Sequence, residues 1–365
     1  MSCTRGVVVG GTGLGARDKA NRGPCGWSST PSTVAAFCLF RDVAAIHDCL
    51  MARTRWVSDT PPPVPVPASL ADAVTTGKPF AGADALAAGL VTRYALRAGF
   101  HAIFPGVYVA KGDPLTSWDI IRAAGIWAPS DAIIGGWAAA YLHGETSYAR
   151  ERVLGGIDVF TAAEPRPPRG IRKRSLRRLV PSEDICEIGG LRVTAPARTA
   201  VDTARWIRGG DLRICVIDSL CFTTGTSLDA VAAAAGRMHG LHGASTVARL
   251  LDACDAGAQS PQETLLRLRI ERSPLPRPTS QLEIFEPTGE RITIADLAYA
   301  SAKVAIFYDG RHHGDEDQWR RDLRITARLT DLGWQVVRIV KDMKPDEAMR
   351  HITNAYTRAQ NRPRT

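Results

Sequence analysis

At 365 residues, with 45% hydrophobic and 23% charged side chains, the chain has the balance of a globular protein and length for two or three cores. Its formal charge of +9 favours anionic partners, nucleic acid ahead of a membrane surface. No apolar run reaches the roughly eighteen residues of a membrane span, and the eight cysteines include no C-x-x-C pair. A zinc knuckle or disulfide framework is therefore not indicated, and reduced thiols in a cytoplasmic protein are expected.

Residues 1–68 read as an N-terminal extension, a disordered leader or a start assigned too early, ending in the proline-rich linker SDTPPPVPVPAS. Within it, VVVGGTGLGA places Gly11, Gly13 and Ala16 at the spacing of a pyrophosphate-binding turn. That turn needs a helix next, and RDKANRGPCGWSSTPST is rich in helix breakers, so no dinucleotide is expected.

From 69 to 112 the pattern predicts a helix, a second helix over 81–88, a third over VTRYALRAGF and a β-hairpin over HAIFPGVYVA. Helix, turn, helix and wing is the build of a winged helix-turn-helix, whose second paired helix enters the major groove. Thr92, Arg93, Tyr94 and Arg97 would there offer donors and a stacking ring to DNA. A small helical domain with a solvated face fits the same residues.

Residues 113–257 read as a middle α+β region, with a helix over AAAYLHG, a strand over GIDVFTA and further helices from 197 to 254. RPPRGIRKRSLRR carries seven basic residues in thirteen and no acid, so Arg172, Lys173 and Arg174 are candidate phosphate contacts. A solvated edge strand is the plainer reading. His143 suits a cap or core role, and the i, i+3 pair His239 and His242 could share a helix face.

The last region is the most specific. Ser260, Pro261 and Glu263 form a capping box, and Glu263 falls on the inward face of Leu266 and Ile270. RITIADLAYASAKVAIFYDG reads as two strands joined by a tight turn, with Ile292, Ile294, Asp296 and Ala298 alternating onto one face. Antiparallel pairing would bring Asp296 to the segment ending in Asp309, and converging hard oxygen ligands suit Mg²⁺. WRRDLRITARLTDLGWQVVRIV predicts an amphipathic helix, with Asp322, Ile325, Leu329 and Leu332 on one face, and then a strand.

On IFYDG, the following RRDLRITARLTDLGWQV and the acids before them, residues 258–357 resemble the very-short-patch-repair (Vsr-like) branch of the PD-(D/E)XK nucleases. Residues 69–250 resemble, more loosely, the abortive-infection (AbiEi-type) antitoxin-like proteins, and 358–365 form a tail. The resemblance implies a mixed α/β, multi-domain protein whose restriction-endonuclease-like core binds Mg²⁺ and cuts DNA. By it, Asp296 is the main metal ligand, joined by the backbone carbonyl of Tyr308, and Glu263 is the supporting acid; Asp309 is added as a ligand by the strand convergence alone. His312 or His313 is the base and Asp322 its orienting partner. Many relatives carry Glu where this chain has Phe307, but the repair endonucleases carry Phe there and bind metal through the next carbonyl. The chain departs from them in Asp309, where they place a histidine, in a His pair about one residue off their spacing, and in lacking an E-x-K lysine. Residues 258–365 hold 18 Lys or Arg against 15 acids, so most phosphate attraction would come from elsewhere in the chain. A DNA-binding, antitoxin-like regulator with a degenerate nuclease fold and a cognate toxin as partner is the alternative.

Overall fold

The computed structural model of the protein describes residues 67–112, 114–162, 166–175, 180–309, 316–340 and 342–362. The glycine run at 10–16, His312 and His313 lie outside the described residues.

Ser69 starts α1 (Leu70–Thr75) by accepting the Asp72 N–H at 3.1 Å, one of the donors a helix leaves unpaired in its first turn. Next come β1 (Phe80–Ala81), α2 (Gly82–Ala87) and α3 (Arg93–Gly99), the last capped by Thr92, which accepts the Ala95 N–H at 3.0 Å. The hairpin β2 (Phe100–Phe104) and β3 (Val107–Ala110) completes an antiparallel sheet of order β1-β3-β2. The expected helix, turn, helix and hairpin order is present, with a short β1 added. The hairpin is not free-standing, because Phe104, Val107 and Val109 are buried in the same core as Leu115, Trp118 and Ile121. Lys78 also pairs with buried Asp119 at 3.2 Å, so packing is continuous across the expected boundary at 112.

The middle region runs α4 (Ser117–Trp127), β4 (Ile133–Gly135), α5 (Gly136–Leu142), α6 (Ala149–Leu154), β5 (Ile157–Thr161), β6 (Ile171–Ser175), β7 (Ile185–Ile188) and β8 (Leu191–Thr194). Helices α7 (Pro196–Trp206), α8 (Gly210–Thr224), α9 (Leu228–Arg237) and α10 (Ala244–Leu250) follow. The sheet is mixed, in the order β6-β5-β4-β8-β7. Gly136 opens α5 at φ +59, and a Cβ there would stand 2.7 Å from Asp158 Oδ2 and 2.8 Å from Trp206 Cζ3. Close packing at β4/α5 therefore requires glycine. His143 caps the end of α5 and, half-buried, donates from Nε2 to the Thr194 carbonyl at 2.8 Å, in keeping with the cap or core role expected of it. His239 and His242 lie exposed in the turn after α9, so they share no helix face, contrary to expectation.

The C-terminal region is α11 (Pro261–Glu271), β9 (Thr279–Phe285), β10 (Arg291–Tyr299), β11 (Val304–Asp309), α12 (Glu316–Asp331), β12 (Gln335–Val340) and α13 (Pro345–Gln360). Its sheet, in the order β12-β11-β10-β9, is antiparallel except that β12 runs parallel to β11. A parallel neighbour needs a crossover, and α12 supplies it. Leu266 and Ile270 of α11 pack with Ile352 and Ala355 of α13 on one face. Ile325, Leu329 and Leu332 cover the other, as their spacing predicts. The chain is thus a mixed α/β protein, and among the described residues no single helix is long and apolar enough to cross a membrane.

Helix α11 serves two cores. Its Leu268 belongs to the middle one, and the fully buried Arg267 bonds Asp218 of α8 at 2.9 Å and Glu271 at 2.8 Å. Asp218 also accepts the Thr264 hydroxyl at 2.9 Å and the Asp255 N–H at 2.7 Å. A charge pair fully removed from water costs free energy unless its remaining lone pairs are met in this way. The expected boundary at 257 is accordingly a tightly bonded joint.

Candidate active site

The β10–β11 ladder pairs Tyr299 with Val304, Ala298 with Ala305 and Leu297 with Ile306, and goes no further. Where it stops, Asp296 Oδ2 accepts the Tyr308 N–H at 2.6 Å. The carboxylate stands in for the next ladder bond, so the two strands part without leaving that donor unmet. Ile292, Ala295 and Ala298 join the α12-side core, whereas Leu297 and Tyr299 join the opposite one. Ile292 and Ala298 thus share one face, as their spacing predicts, and Ala295 joins them. On β9, Leu282 pairs with Ala295 and Ser280 with Leu297, and Gln281 lies between them at φ +50.

Glu263, only 8% exposed, comes to this place from the start of α11. Ser260 caps the helix through the Glu263 N–H at 3.2 Å, with Pro261 first in the helix, as expected. The reciprocal half of the capping box differs. Glu263 accepts the Ser260 hydroxyl at 2.8 Å and the Gln259 N–H at 3.0 Å, and also the Gln281 amide at 3.1 Å. Burial pushes its carboxyl above the usual range and the negative charge of Asp296 adds to this, while those three hydrogen bonds oppose it. Asp296 thus meets the end segment of β11, as antiparallel pairing predicts, and Glu263 lies near enough to feel its charge.

Phe307 is buried against the α12 side, with the Arg338 guanidinium 5.3 Å from its ring centroid. Asp322 aims at the sheet as expected, with Oδ2 3.7 Å from Arg338 Nη1. Asp309 closes β11 in register with Val340. The Tyr308 side chain lines an open cleft of about 470 Å³ with Leu265, Arg269, Val340 and Met343. Among the described residues no three His, Cys, Asp or Glu side chains converge as a metal cluster. The described cysteines are free, and burial pushes Cys215 and Cys221 up to about 12, so neither is an activated nucleophile.

The expected DNA contacts divide into two groups. Thr92, Arg93, Tyr94 and Arg97 all lie on the exposed side of α3, with Tyr94 83% exposed, while Leu96 faces the core. Arg172 and Arg174 have structural work instead. Arg172 binds both oxygens of buried Asp158, at 3.0 and 2.8 Å, and the carbonyls of Gly155 and Gly156. Arg174 bonds the same carboxylate at 2.7 Å and lies over Trp206 at 4.0 Å. The basic run on β6 is thus largely an answer to one buried acid, which no local sequence pattern links to it. Lys173 lies between them, half-buried on the same strand. Gln281 and Gln259 went unforeseen because a neutral amide in a strand or loop carries no chemical signature; only the polar break in TSQLEIF marks the first.

The chain is similar to two uncharacterised proteins of Mycobacterium tuberculosis, MT2308 of strain CDC 1551 and Rv2248 of strain H37Rv. Each is 28% identical over 250 residues, which cover 67% of this chain and 86% of the relative. No family model matches the chain, and no solved structure matches it significantly.

Proposed function

We propose that the protein binds DNA through α3 and hydrolyses DNA phosphodiesters at the Asp296–Glu263 corner with the help of Mg²⁺. One arrangement carries the reading: Asp296 sits where β10 and β11 part, hydrogen-bonded to Tyr308 and electrostatically coupled to Glu263. Helix, hairpin, helix and strand is the order on which the nuclease resemblance rests, and β9 adds a further antiparallel strand to it. The donor set fits the ion, because two hard carboxylates held together repel each other and a divalent cation relieves that repulsion. Asp296 would be the ligand, with the Tyr308 carbonyl as the resemblance implies and Asp309 at the end of the same strand. Glu263, already holding three donors, would orient a bound water. When bound, Mg²⁺ would polarise a phosphoryl oxygen and offset the developing charge. His312 or His313 would take the proton from the attacking water, and Asp322, shared with Arg338, would orient that base.

The exposed face of α3 equally favours a second reading, an antitoxin-like regulator that binds DNA, and with it a cognate toxin, without cutting. Nicking of supercoiled plasmid with and without Mg²⁺ separates the two. Metal-dependent nicking by the wild type that is lost in Asp296→Asn supports the nuclease. Salt-sensitive binding with no nicking of any DNA form leaves the regulator.

A further inference from the structure

Gln281 and Lys303 are the non-glycine residues with positive φ among those described, both at +50. Lys303 closes the turn between β10 and β11, where such a backbone is ordinary. Gln281 instead lies inside β9, where an extended conformation costs nothing and this one does. A strained backbone persists only where its surroundings over-determine it. Here Ser280 is tied to Asp255 at 2.6 Å, and Asp255 to Asp218 in the middle core. On the other side Leu282 packs in the α12-side core. The Gln281 side chain is held at both ends: Oε1 accepts the Gln259 amide at 2.7 Å, and Nε2 donates to Glu263 Oε2 at 3.1 Å.

From this geometry we infer that Gln281 is a positioning residue, its strained backbone aiming an amide that fixes the Glu263 carboxylate beside Asp296. The inference rests on the proposed metal-dependent reading of that pair and adds the part of the site that β9 supplies. A regular strand would turn this side chain away from Glu263. The carboxylate would then keep only the Ser260 and Gln259 donors, both from its own end of α11. The anchor through Ser280 and Asp255 makes the middle region part of the support.

The experiment compares full-length wild type, Gln281→Ala, Gln281→Gly, Gln281→Glu and Asp296→Asn in Tb³⁺ luminescence titrations and Mn²⁺ binding. Luminescence lifetimes in H₂O and D₂O count the waters on bound Tb³⁺. Wild type should bind in an Asp296-dependent manner. Ala and Gly should both weaken Mn²⁺ roughly 10-fold to 100-fold, as loss of an outer-shell partner does, and raise the water count on Tb³⁺. Glu, of the same shape but without the donor, should fail to restore wild-type affinity. Gly relieves the backbone and should melt no lower than Ala, so weak binding by a well-folded Gly variant isolates the amide. If Gly binds as wild type does, with an unchanged water count, Gln281 is structural and the inference falls while the metal site stands. If wild type and Asp296→Asn bind Tb³⁺ and Mn²⁺ alike, the proposed metal site falls, and this inference with it.

Discussion

Replacing Arg267 with Met should show how firmly the C-terminal region is joined to the middle one. The guanidinium is fully buried and bonds Asp218 at 2.9 Å and Glu271 at 2.8 Å; Asp255 lies at 3.8 Å, beyond hydrogen bonding. In the variant Asp218 keeps the Thr264 hydroxyl and the Asp255 N–H but is without its countercharge. Removing one partner of such a pair costs about 3–5 kcal/mol, most of it the charge left behind. Arg267→Met/Asp218→Leu removes both charges and should recover most of that loss. Burial already pushes Asp218 up to about 6, so it can shed an unpaired charge by binding a proton. The single variant should therefore lose more stability at pH 8 than at pH 5.5. Urea unfolding followed by tryptophan fluorescence and circular dichroism measures all of this. A loss below about 1 kcal/mol, well short of a broken buried pair, or no recovery in the double variant, would refute the argument that charge compensation holds the joint.

Arg93→Ala/Arg97→Ala should weaken DNA binding uniformly across sequences and lower the salt slope by about two, one for each phosphate that an arginine no longer neutralises; an unchanged slope would remove α3 from the interface. Arg172→Ala should lower the melting temperature and leave that slope unchanged, because its partners are Asp158 and two carbonyls. Gly136→Ala should cost at least about 1–2 kcal/mol from the left-handed backbone alone, with the crowding against Asp158 and Trp206 in addition, as differential scanning calorimetry would read. Burial lowers His143 below its ordinary 6.5, the Thr194 hydrogen bond opposing. Its share of stability is therefore complete above pH 6.5 and is lost as the pH falls toward the folded value, since the unfolded chain takes the proton first. His143→Gln should flatten the wild-type decline in stability below pH 6.5, and an unchanged slope would count against a buried neutral imidazole.

Sequence by itself determined the local parts. The cap at Ser260, the amphipathic spacing of Ile325, Leu329 and Leu332, and the turn before Val304 are each settled within a few residues, by unpaired amides or by helical period. The inward Glu263 was legible from helical period, and the approach of Asp296 to the end of β11 from antiparallel pairing. Tertiary structure alone decided what those parts do to one another. It gave Arg172 and Arg174 to Asp158, sent Arg267 into α8 to meet Asp218, and buried the inner face of the β2–β3 hairpin in the middle core. It also twisted Gln281 toward Glu263. Burial creates these partnerships: a charge or amide removed from water must find its complement wherever the fold brings one, and chain distance does not record which one that is.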